Sequence, residues 1–337
     1  MSNWQQELAQ GFSDSQSLLS FLGIANIEGF EASECQFPTK VPRGFASRMQ
    51  AGNPEDPLLL QVLASSQELN EVPGFYADPL QEKKYNPLPG LIHKYTHRAL
   101  LTLSGACAVH CRYCFRRHFP YDTNRPGKKG IQDIVAYLHE HSEINELIFS
   151  GGDPLLWNNH YYQYLLDALS ACSSLEVIRI HTRVPIVLPS RIEAEWLNLW
   201  ASYPWQKVMV THVNHANELD ASVGVAMKAL KEQDWLLLNQ SVLLKGINDN
   251  HDALVTLSKT LFHYGILPYY LHLLDPVQGA AHFQVDNSRA LALYAEIQTR
   301  LSGYLLPRLA QEIPGRQHKT LILPESNVKN VVADILM

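Results

Sequence analysis

Three cysteines lie within eight residues of this chain, at Cys107, Cys111 and Cys114. This spacing can place three thiolates on one loop, one fewer than the four that fill an ordinary [4Fe–4S] cluster. A cluster held by three cysteines leaves one iron open to a ligand from outside the protein. The spacing also leaves two alternatives open: zinc bound with His110 or His118, and unrelated buried thiols.

The second candidate for a functional site is a pair of glycines. They lie in the sequence Gly151-Gly152-Asp153, after a short apolar run. Two glycines let the backbone approach a ligand closely, so that free N–H and C=O groups can bind its polar ends. A tight turn would account for the same residues.

Charged side chains supply a third set of candidates. Arg116 follows the cysteines and offers a planar fork that fits a carboxylate. Asp275 and Glu312 could together recognise a distal ammonium group. A lysine such as Lys319 can form a Schiff base with pyridoxal phosphate (PLP), although composition alone does not distinguish it from an exposed lysine. Each of these residues is equally compatible with an ordinary surface charge.

Two further groups could contact a cofactor. Lys94, Tyr95 and Arg98 precede the first predicted strand and could bind a phosphate and stack on a ring. His212 and His215 lie three residues apart with no third metal ligand nearby in the sequence. We therefore interpret these histidines as polar contacts to a bound cofactor.

The composition is that of an ordinary globular protein. The 337 residues are 46% hydrophobic and 18% charged, enough for one large domain or two modest ones. A net charge of −6 argues against nucleic acid or an anionic membrane as a main partner. No apolar run approaches the ~20 residues that span a bilayer. Five cysteines, two of them isolated, do not suggest a disulfide framework, and we expect a cytoplasmic protein.

The chain divides into regions with different patterns. Residues 1–97 predict an irregular, mainly helical lead-in, with helices at 13–22 and 58–69, the latter with Asp56 as N-cap. From residue 98, short apolar runs alternate with amphipathic ones, which favours a parallel sheet with right-handed crossovers. Six such units predict an α/β fold, a partial (β/α)6 TIM-like barrel at 98–285, followed by a C-terminal segment at 286–337. The predicted strands are 99–103, 146–150, 177–181, 207–212, 236–242 and 268–274, and the predicted helices are 131–141, 160–169, 191–200, 220–233 and 251–263.

The candidate functional residues follow the predicted strands. In barrels of this kind, ligands collect on the loops that lead from strands into helices. Six strands with polar or reactive residues at the same end are therefore evidence for a single site. The residues at these ends are Cys107, Gly151, Arg183, His212, Gln240 and Asp275.

Together these sequence blocks resemble the lysine 2,3-aminomutase family of radical S-adenosylmethionine (SAM) enzymes, which also depend on PLP. The resemblance covers residues 40–325, roughly, and it is strongest in blocks spread along the chain. Within the family, the runs 93–95 and 114–121 resemble the subgroup that makes (R)-β-lysine for modifying elongation factor P. The blocks lie at 107–117, 149–155, 183–191, 211–218, 239–244 and 274–283.

The resemblance implies three cofactors and the residues that bind them. Cys107, Cys111 and Cys114 match the ligands of a [4Fe–4S] cluster. Lys319 matches the catalytic lysine that bonds PLP, with Tyr95 and Arg98 around that cofactor. The residues expected to contact SAM are Tyr113, Gly151, Gly152, Asp153, His212 and Gln240.

The implied substrate is L-lysine, bound at both ends. Arg116 matches the arginine that binds the substrate carboxylate, and Asp275 matches a carboxylate that grips the ε-ammonium. Glu312 stands where the family usually has a second aspartate, and its extra methylene leaves the reach of this pocket open. Lys94 replaces the arginine of catabolic members, and Gly-Arg-Gln-His replaces the run of glycines before Lys319.

The implied activity is that of an isomerase. A 5′-deoxyadenosyl radical and a PLP imine would convert L-lysine to (R)-β-lysine, with a functional link to elongation factor P and its lysyl-ligase. Other enzyme readings are an aminomutase acting on another amino acid such as glutamate, and a radical SAM enzyme that modifies RNA or a peptide. The chain lacks the long C-terminal extension of catabolic members, so a homo-oligomer is neither required nor excluded.

Overall fold

A single twisted sheet forms the centre of the protein. The computed structural model describes residues 3–25, 27 and 29–323. Each strand pairs with the next one along the chain, so the sheet follows the order β1 to β9. Strands β2 to β8 are parallel, whereas β1 and β9 join the two edges in antiparallel fashion. The strands are β1 (Leu91–Tyr95), β2 (Arg98–Ser104), β3 (Glu146–Gly151), β4 (Val177–Thr182), β5 (Gln206–His212), β6 (Trp235–Val242), β7 (Leu267–His272), β8 (Arg308–Gln311) and β9 (Thr320–Leu321).

Helices connect the parallel strands and cover the outside of the sheet. In α5, Ile131, Ile134 and Leu138 are buried at helical spacing, as expected for an amphipathic helix packed on one side. The helices are α1 (Asn3–Ala9), α2 (Ser15–Phe21), α3 (Glu31–Gln36), α4 (Arg43–Ala46), α5 (Lys128–Glu140), α6 (Asn159–Leu169), α7 (Val184–Val187), α8 (Ala194–Leu199), α9 (Ala221–Lys231), α10 (His251–His263) and α11 (Asn287–Arg300).

The sequential order of parallel strands confirms the prediction of an open, barrel-like α/β fold. All six predicted strands are present as β2 to β7, and the five predicted crossover helices correspond to α5, α6, α8, α9 and α10. Three strands were not predicted. Strand β1 lies within the predicted lead-in, and β8 and β9 lie within the predicted C-terminal segment, of which residues 324–337 are outside the described part of the chain.

The helix predicted at 58–69 is wrong. Asp56 does accept hydrogen bonds from the backbone N–H groups of Leu58 and Leu59, as an N-cap would. The chain then forms hydrogen-bonded turns, and a separate 3-10 helix occupies Ser66–Leu69. Ser65 and Glu68 cap this short helix reciprocally, which fixes a new start where the longer helix would have continued.

The N-terminal region packs tightly against the barrel. One apolar cluster extends from Trp4 and Phe45 to Trp235 at the start of β6. Arg48 donates hydrogen bonds of 2.7 Å to the carbonyl oxygens of Ile186 and Glu218. These contacts place residues of the lead-in beside the loops at the carboxyl ends of the strands. In the described part of the chain, no helix is both long and apolar enough to cross a membrane.

Candidate functional site

The three clustered cysteines occupy the loop that follows β2. None of them forms a disulfide, and all three are half-buried. Burial and the neighbouring Cys111 sulfur raise the pKa of the Cys114 thiol to about 11. Burial, followed by Cys114, also raises the pKa of Cys107. The three thiols therefore influence one another, and a metal that binds them must displace their protons.

This donor set fits an iron–sulfur cluster. Among the described residues, no three His, Cys, Asp or Glu side chains gather as they would around a single metal ion. The cysteines of a [4Fe–4S] cluster bind different irons, so they can share one loop without meeting at one point. Thiolate ligands are the ones that such clusters use.

A buried ionic network fixes the cysteine loop from behind. Arg112 donates to both carboxylate oxygens of Glu68, at 2.8 and 2.7 Å, and Arg117 donates to the same carboxylate at 2.8 Å. The side chains of these residues are at most 3% exposed. Glu68 belongs to the misjudged segment 58–69, and no pattern in the sequence connects it with the cysteines.

The Gly151-Gly152 pair lies at the end of β3, where it contacts the residues that precede Cys107. A Cβ atom at Gly152 would lie 2.5 Å from the carbonyl oxygen of Ala106, and Gly151 has a φ of +117°. The backbone N–H groups of Gly152 and Asp153 donate to the carbonyl oxygens of Ser104 and Ala106. The glycines therefore allow the two loops to lie in direct backbone contact.

The Asp153 carboxylate braces this junction. It accepts hydrogen bonds from the Thr182 hydroxyl and from the backbone N–H groups of Leu155, Arg183 and Val184. Burial raises its pKa to about 6, although these donors oppose the shift. Protein donors occupy both of its oxygens, so its contact with SAM stays a prediction while its bracing role is structural.

Three of the residues predicted to contact SAM lie together beside the cysteine loop. The Tyr113 hydroxyl is hydrogen bonded to Nε2 of His212 at 3.0 Å, and the two rings are stacked. Gln240 on β6 pairs with His212 on β5 in the register of the sheet. Burial, with a smaller contribution from Arg183, lowers the pKa of His212 to about 3, so its imidazole is neutral.

Arg183 joins these groups, although no specific role was predicted for it from its position in the sequence. It follows β4, and its guanidinium donates to the Cys111 sulfur and the Tyr113 hydroxyl. It also donates to Gln61 and to the buried carboxylate of Glu218. Its position at a strand end was visible in the sequence, but its partners, 35 to 122 residues away, were not.

The residues predicted around PLP form a second group. Glu312 accepts hydrogen bonds from Lys94 and from the Tyr95 hydroxyl on one oxygen, and from Lys319 Nζ at 3.0 Å on the other. The Arg98 guanidinium lies over the Tyr95 ring at 4.2 Å. Burial would raise the pKa of Glu312, but Lys319 and Lys94, with the Tyr95 hydrogen bond, lower it to about 2.

The contacts of Glu312 in the structure are all with other residues of the protein. Its carboxylate accepts hydrogen bonds from two lysines and a tyrosine. Its longer side chain reaches Lys94 and Lys319 at the same time. A direct contact between Glu312 and a substrate ammonium stays a prediction.

Arg116 binds a carboxylate of the protein itself. Its Nε and Nη2 atoms donate to the two oxygens of Glu82, at 2.8 and 2.6 Å, in a side-on, two-bond pair. Its Nη1 donates to the Ser150 hydroxyl, just before the glycine pair. The arginine is 7% exposed, so its fork is fixed in direction. Glu82 was not identified from the sequence.

Asp275 is an acidic residue on the loop that follows β7. It keeps some accessible surface, although its carboxyl group lies largely among protein atoms. Burial raises its pKa to about 7; Lys319 and Arg116 oppose the shift, and Glu312 and Glu82 add to it. Within the described residues, no group donates a hydrogen bond to its carboxyl. The pKa of Asp275 therefore depends on the charges of both the Arg116–Glu82 pair and the Lys319–Glu312 pair.

The architecture and the site define a radical SAM enzyme, and comparison with known proteins agrees. Residues 101–257 match the Radical SAM superfamily. The chain is 48% identical over 322 residues to the L-lysine 2,3-aminomutase of Haemophilus influenzae, with 95% of each chain covered. It is 47% identical to the L-lysine 2,3-aminomutase of Escherichia coli, covering 94% of each chain. The L-lysine 2,3-aminomutase of Clostridium subterminale is 29% identical, with 96% of this chain and 78% of the relative covered.

These similarities identify the particular family. The chain belongs to the lysine 2,3-aminomutase family, a family of isomerases within the radical SAM superfamily. The predictions of the family and of the isomerase class are thereby confirmed. Membership in the superfamily implies SAM and a [4Fe–4S] cluster, which the cysteine loop fits.

Proposed function

We propose that this protein is an L-lysine 2,3-aminomutase that converts L-α-lysine to (R)-β-lysine. The proposal includes a [4Fe–4S] cluster, SAM and PLP as cofactors and a cytoplasmic location, in which reduced cysteines persist. It also includes the supply of β-lysine for the modification of elongation factor P by its lysyl-ligase. Support comes from the family membership and from the chemistry of the two groups of residues inside the barrel.

One observation carries the choice of substrate. Asp275 is a carboxyl group to which none of the described residues donates a hydrogen bond, and it lies within the electrostatic reach of the Arg116 fork. An arginine fork recognises a carboxylate, and an enclosed acid recognises an ammonium group. A molecule with a carboxylate at one end and an amine at the other satisfies both, as lysine does. The γ-carboxylate of glutamate would be repelled by ionised Asp275.

The side chains fit the absent cofactors. Cys107, Cys111 and Cys114 would hold the cluster, and Lys319 would bond PLP with Tyr95 and Arg98 beside it. Together the cluster and SAM supply a carbon-centred radical, and PLP supplies a ring that stabilises an unpaired electron next to an amine. Lys94, Arg98 and Lys319 outnumber the acidic Glu312 in this group, which suits an anionic phosphate.

The protein's own contribution is to orient the substrate and to exclude water. Arg116 and Asp275 would fix the two ends of lysine, so that its reacting carbons have a limited range of positions. Glu312 accepts a hydrogen bond from Lys319 Nζ at 3.0 Å and so orients this amine. The enclosed position of these groups limits the access of water and oxygen to reactive species.

The activity is tested by product identification. Anaerobically purified protein is incubated with SAM, PLP, a reductant and a panel of amino acids that includes lysine and glutamate. The proposal expects β-lysine of R configuration from lysine, and no rearranged product from glutamate. A product from glutamate alone, or modification of an RNA or a peptide without PLP, would contradict it.

The role of Lys319 has a separate test. Wild-type protein should show the visible absorption band of PLP bonded to a lysine, and Lys319→Ala should not. Lys245→Ala, which removes an exposed lysine elsewhere, is the matched control and should keep the band. A band that survives in Lys319→Ala would show that another lysine bonds the cofactor.

The link with elongation factor P is tested in cells. Deletion of the gene should leave elongation factor P without the added mass of β-lysine, and added (R)-β-lysine should restore it. If elongation factor P keeps its modification in the deletion strain, the product serves a different acceptor, even where the aminomutase activity itself is established.

A further inference from the structure

One arginine connects the predicted SAM-binding loop with the predicted cluster loop. The backbone N–H of Arg183 donates to Asp153 at 2.8 Å, next to the glycine pair. Its Nη1 atom donates to the sulfur of Cys111, also at 2.8 Å. Among the described residues, the Arg183 guanidinium is thus a charged side chain that donates a hydrogen bond to a cysteine of the cluster motif.

The guanidinium is held in place on its other sides. Nη2 donates to Gln61 at 2.6 Å and to Glu218 at 2.8 Å, and Nη1 also donates to the Tyr113 hydroxyl at 2.9 Å. The Arg183 side chain is 6% exposed and that of Glu218 is fully buried. A group with so many fixed partners cannot turn towards solvent, so its direction relative to Cys111 is set by the fold.

We propose that Arg183 is a positioning residue for the iron–sulfur cluster, and that its hydrogen bond to the Cys111 sulfur raises the reduction potential of the cluster. This inference rests on the proposed binding of a cluster by the three cysteines. Reduction adds one electron to the cluster and makes its sulfurs more negative. A donor aimed at a ligand sulfur therefore stabilises the reduced form more than the oxidised form.

The buried acid beside Arg183 means that a substitution can change the charge near the cluster as well as remove the hydrogen bond. Glu218 neutralises the guanidinium at 2.8 Å, so the pair as a whole adds little net charge near the cluster. Arg183→Gln removes both the hydrogen bond and the charge that balances Glu218, so Arg183→Lys, which keeps the charge, is needed to show the effect of the hydrogen bond alone. Arg183→Gln keeps a donor but shortens its reach, whereas Arg183→Lys keeps the charge and loses the planar fork.

The test measures the midpoint potential of the cluster. Full-length protein is loaded with iron and sulfide under anaerobic conditions, without SAM or lysine, and titrated with a low-potential one-electron reductant while EPR follows the reduced cluster. We expect a more negative potential in Arg183→Gln than in wild type, and an intermediate value in Arg183→Lys. Equal potentials in wild type and Arg183→Gln at full iron content would overturn the proposal.

A control and a second measurement cover variants that load poorly. Arg48→Gln removes another largely buried arginine of the same network, one that contacts Asp220 and backbone oxygens but no cysteine, and should keep the wild-type potential. If both Arg183 variants remain folded by circular dichroism but hold less iron than Arg48→Gln, positioning of the cluster is supported. If both unfold, Arg183 is a structural residue and the proposal is wrong. Wild-type protein that binds no iron would instead contradict the proposed function.

Discussion

Asp275 makes the strongest prediction at the scale of single residues. Burial raises its pKa to about 7, so the carboxyl is mainly neutral at pH 6 and mainly ionised at pH 8. Only the ionised form pairs with the ε-ammonium of lysine. The KM for lysine should therefore fall about tenfold between pH 6 and pH 8, since one pH unit below the pKa leaves about a tenth of the groups ionised.

The matched variant is Asp275→Asn, which has the same shape and no charge. Its KM for lysine should be flat across this pH range and raised by about 30-fold or more, as expected when one partner of a buried charge pair is removed. PLP absorbance should be unchanged. A variant that keeps the pH dependence of the wild type would assign that dependence to another group.

The sequence singles out residues whose chemistry is carried by type and spacing. The cysteines, the glycine pair and Arg116 became candidates in this way, and Lys319 only through the family resemblance. Glu82 and Glu68 could not, because each acts by pairing with an arginine 34 or 44 residues away. An exposed acid and a buried counterion have the same letter in a sequence, and only the fold distinguishes them.

At the scale of elements, the contact between two loops depends on Gly152. A Cβ atom there would lie 2.5 Å from the carbonyl oxygen of Ala106, and backbone atoms cannot give way as a side-chain tip can. Gly152→Ala should cost about 1–3 kcal/mol of stability, as other overpacked sites do, and should lower the iron bound per chain. Thermal unfolding and iron analysis measure the two effects.

The control for this substitution is Gly303→Ala. Gly303 has no heavy atom within 4 Å of an added Cβ, so the change should affect neither stability nor iron content by a comparable amount. Iron content in Gly152→Ala equal to that of the control would show that the two loops tolerate separation.

The 3-10 helix Glu82–Tyr85 contains Glu82, whose carboxylate accepts the hydrogen bonds of the Arg116 guanidinium. If Arg116 binds the carboxylate of lysine, this substrate must compete with Glu82 for the same donors. Glu82→Gln weakens the competing pair, because hydrogen bonds between charged groups are stronger than those with a neutral amide, and it should lower the KM for lysine about fivefold. Steady-state kinetics at constant SAM and PLP measure the change.

Glu71→Gln is the control for this prediction, because it removes an exposed acid from the same region. Its KM should match that of the wild type. A higher KM in Glu82→Gln would reverse the interpretation: Glu82 would then orient Arg116 for the substrate and would not compete with it.

Element prediction succeeded where the burial pattern was local. Strand β3 reads as an apolar run because its residues 147–150 are buried, and such runs are typical of parallel strands. Strand β8 has four residues and β9 has two, too short for a periodic signal. The prediction of a helix at 58–69 failed because Gln61 and Glu68 form hydrogen bonds with distant arginines. These tertiary contacts override the local helical pattern.

At the scale of the whole molecule, the N-terminal region and the barrel form a single site. Gln61 and Glu68, which precede the barrel in sequence, contact Arg183 and Arg112 at the cysteine loop. The apolar core continues across the same boundary. The cysteine loop therefore depends on residues that a division of the chain at residue 97 would assign to a separate region.

Glu68→Gln tests this dependence in iron-free protein. The substitution leaves Arg112 and Arg117 buried without their shared counterion, and an unpaired buried charge costs about 3–5 kcal/mol. Urea unfolding should show a loss of this size, whereas Glu55→Gln, at an exposed acid of the same region, should show almost none. Because the two arginines lie on the cysteine loop, iron uptake should fall together with stability. A loss below about 1 kcal/mol, the level of a surface ion pair, would mean that the loop keeps its conformation without the N-terminal region.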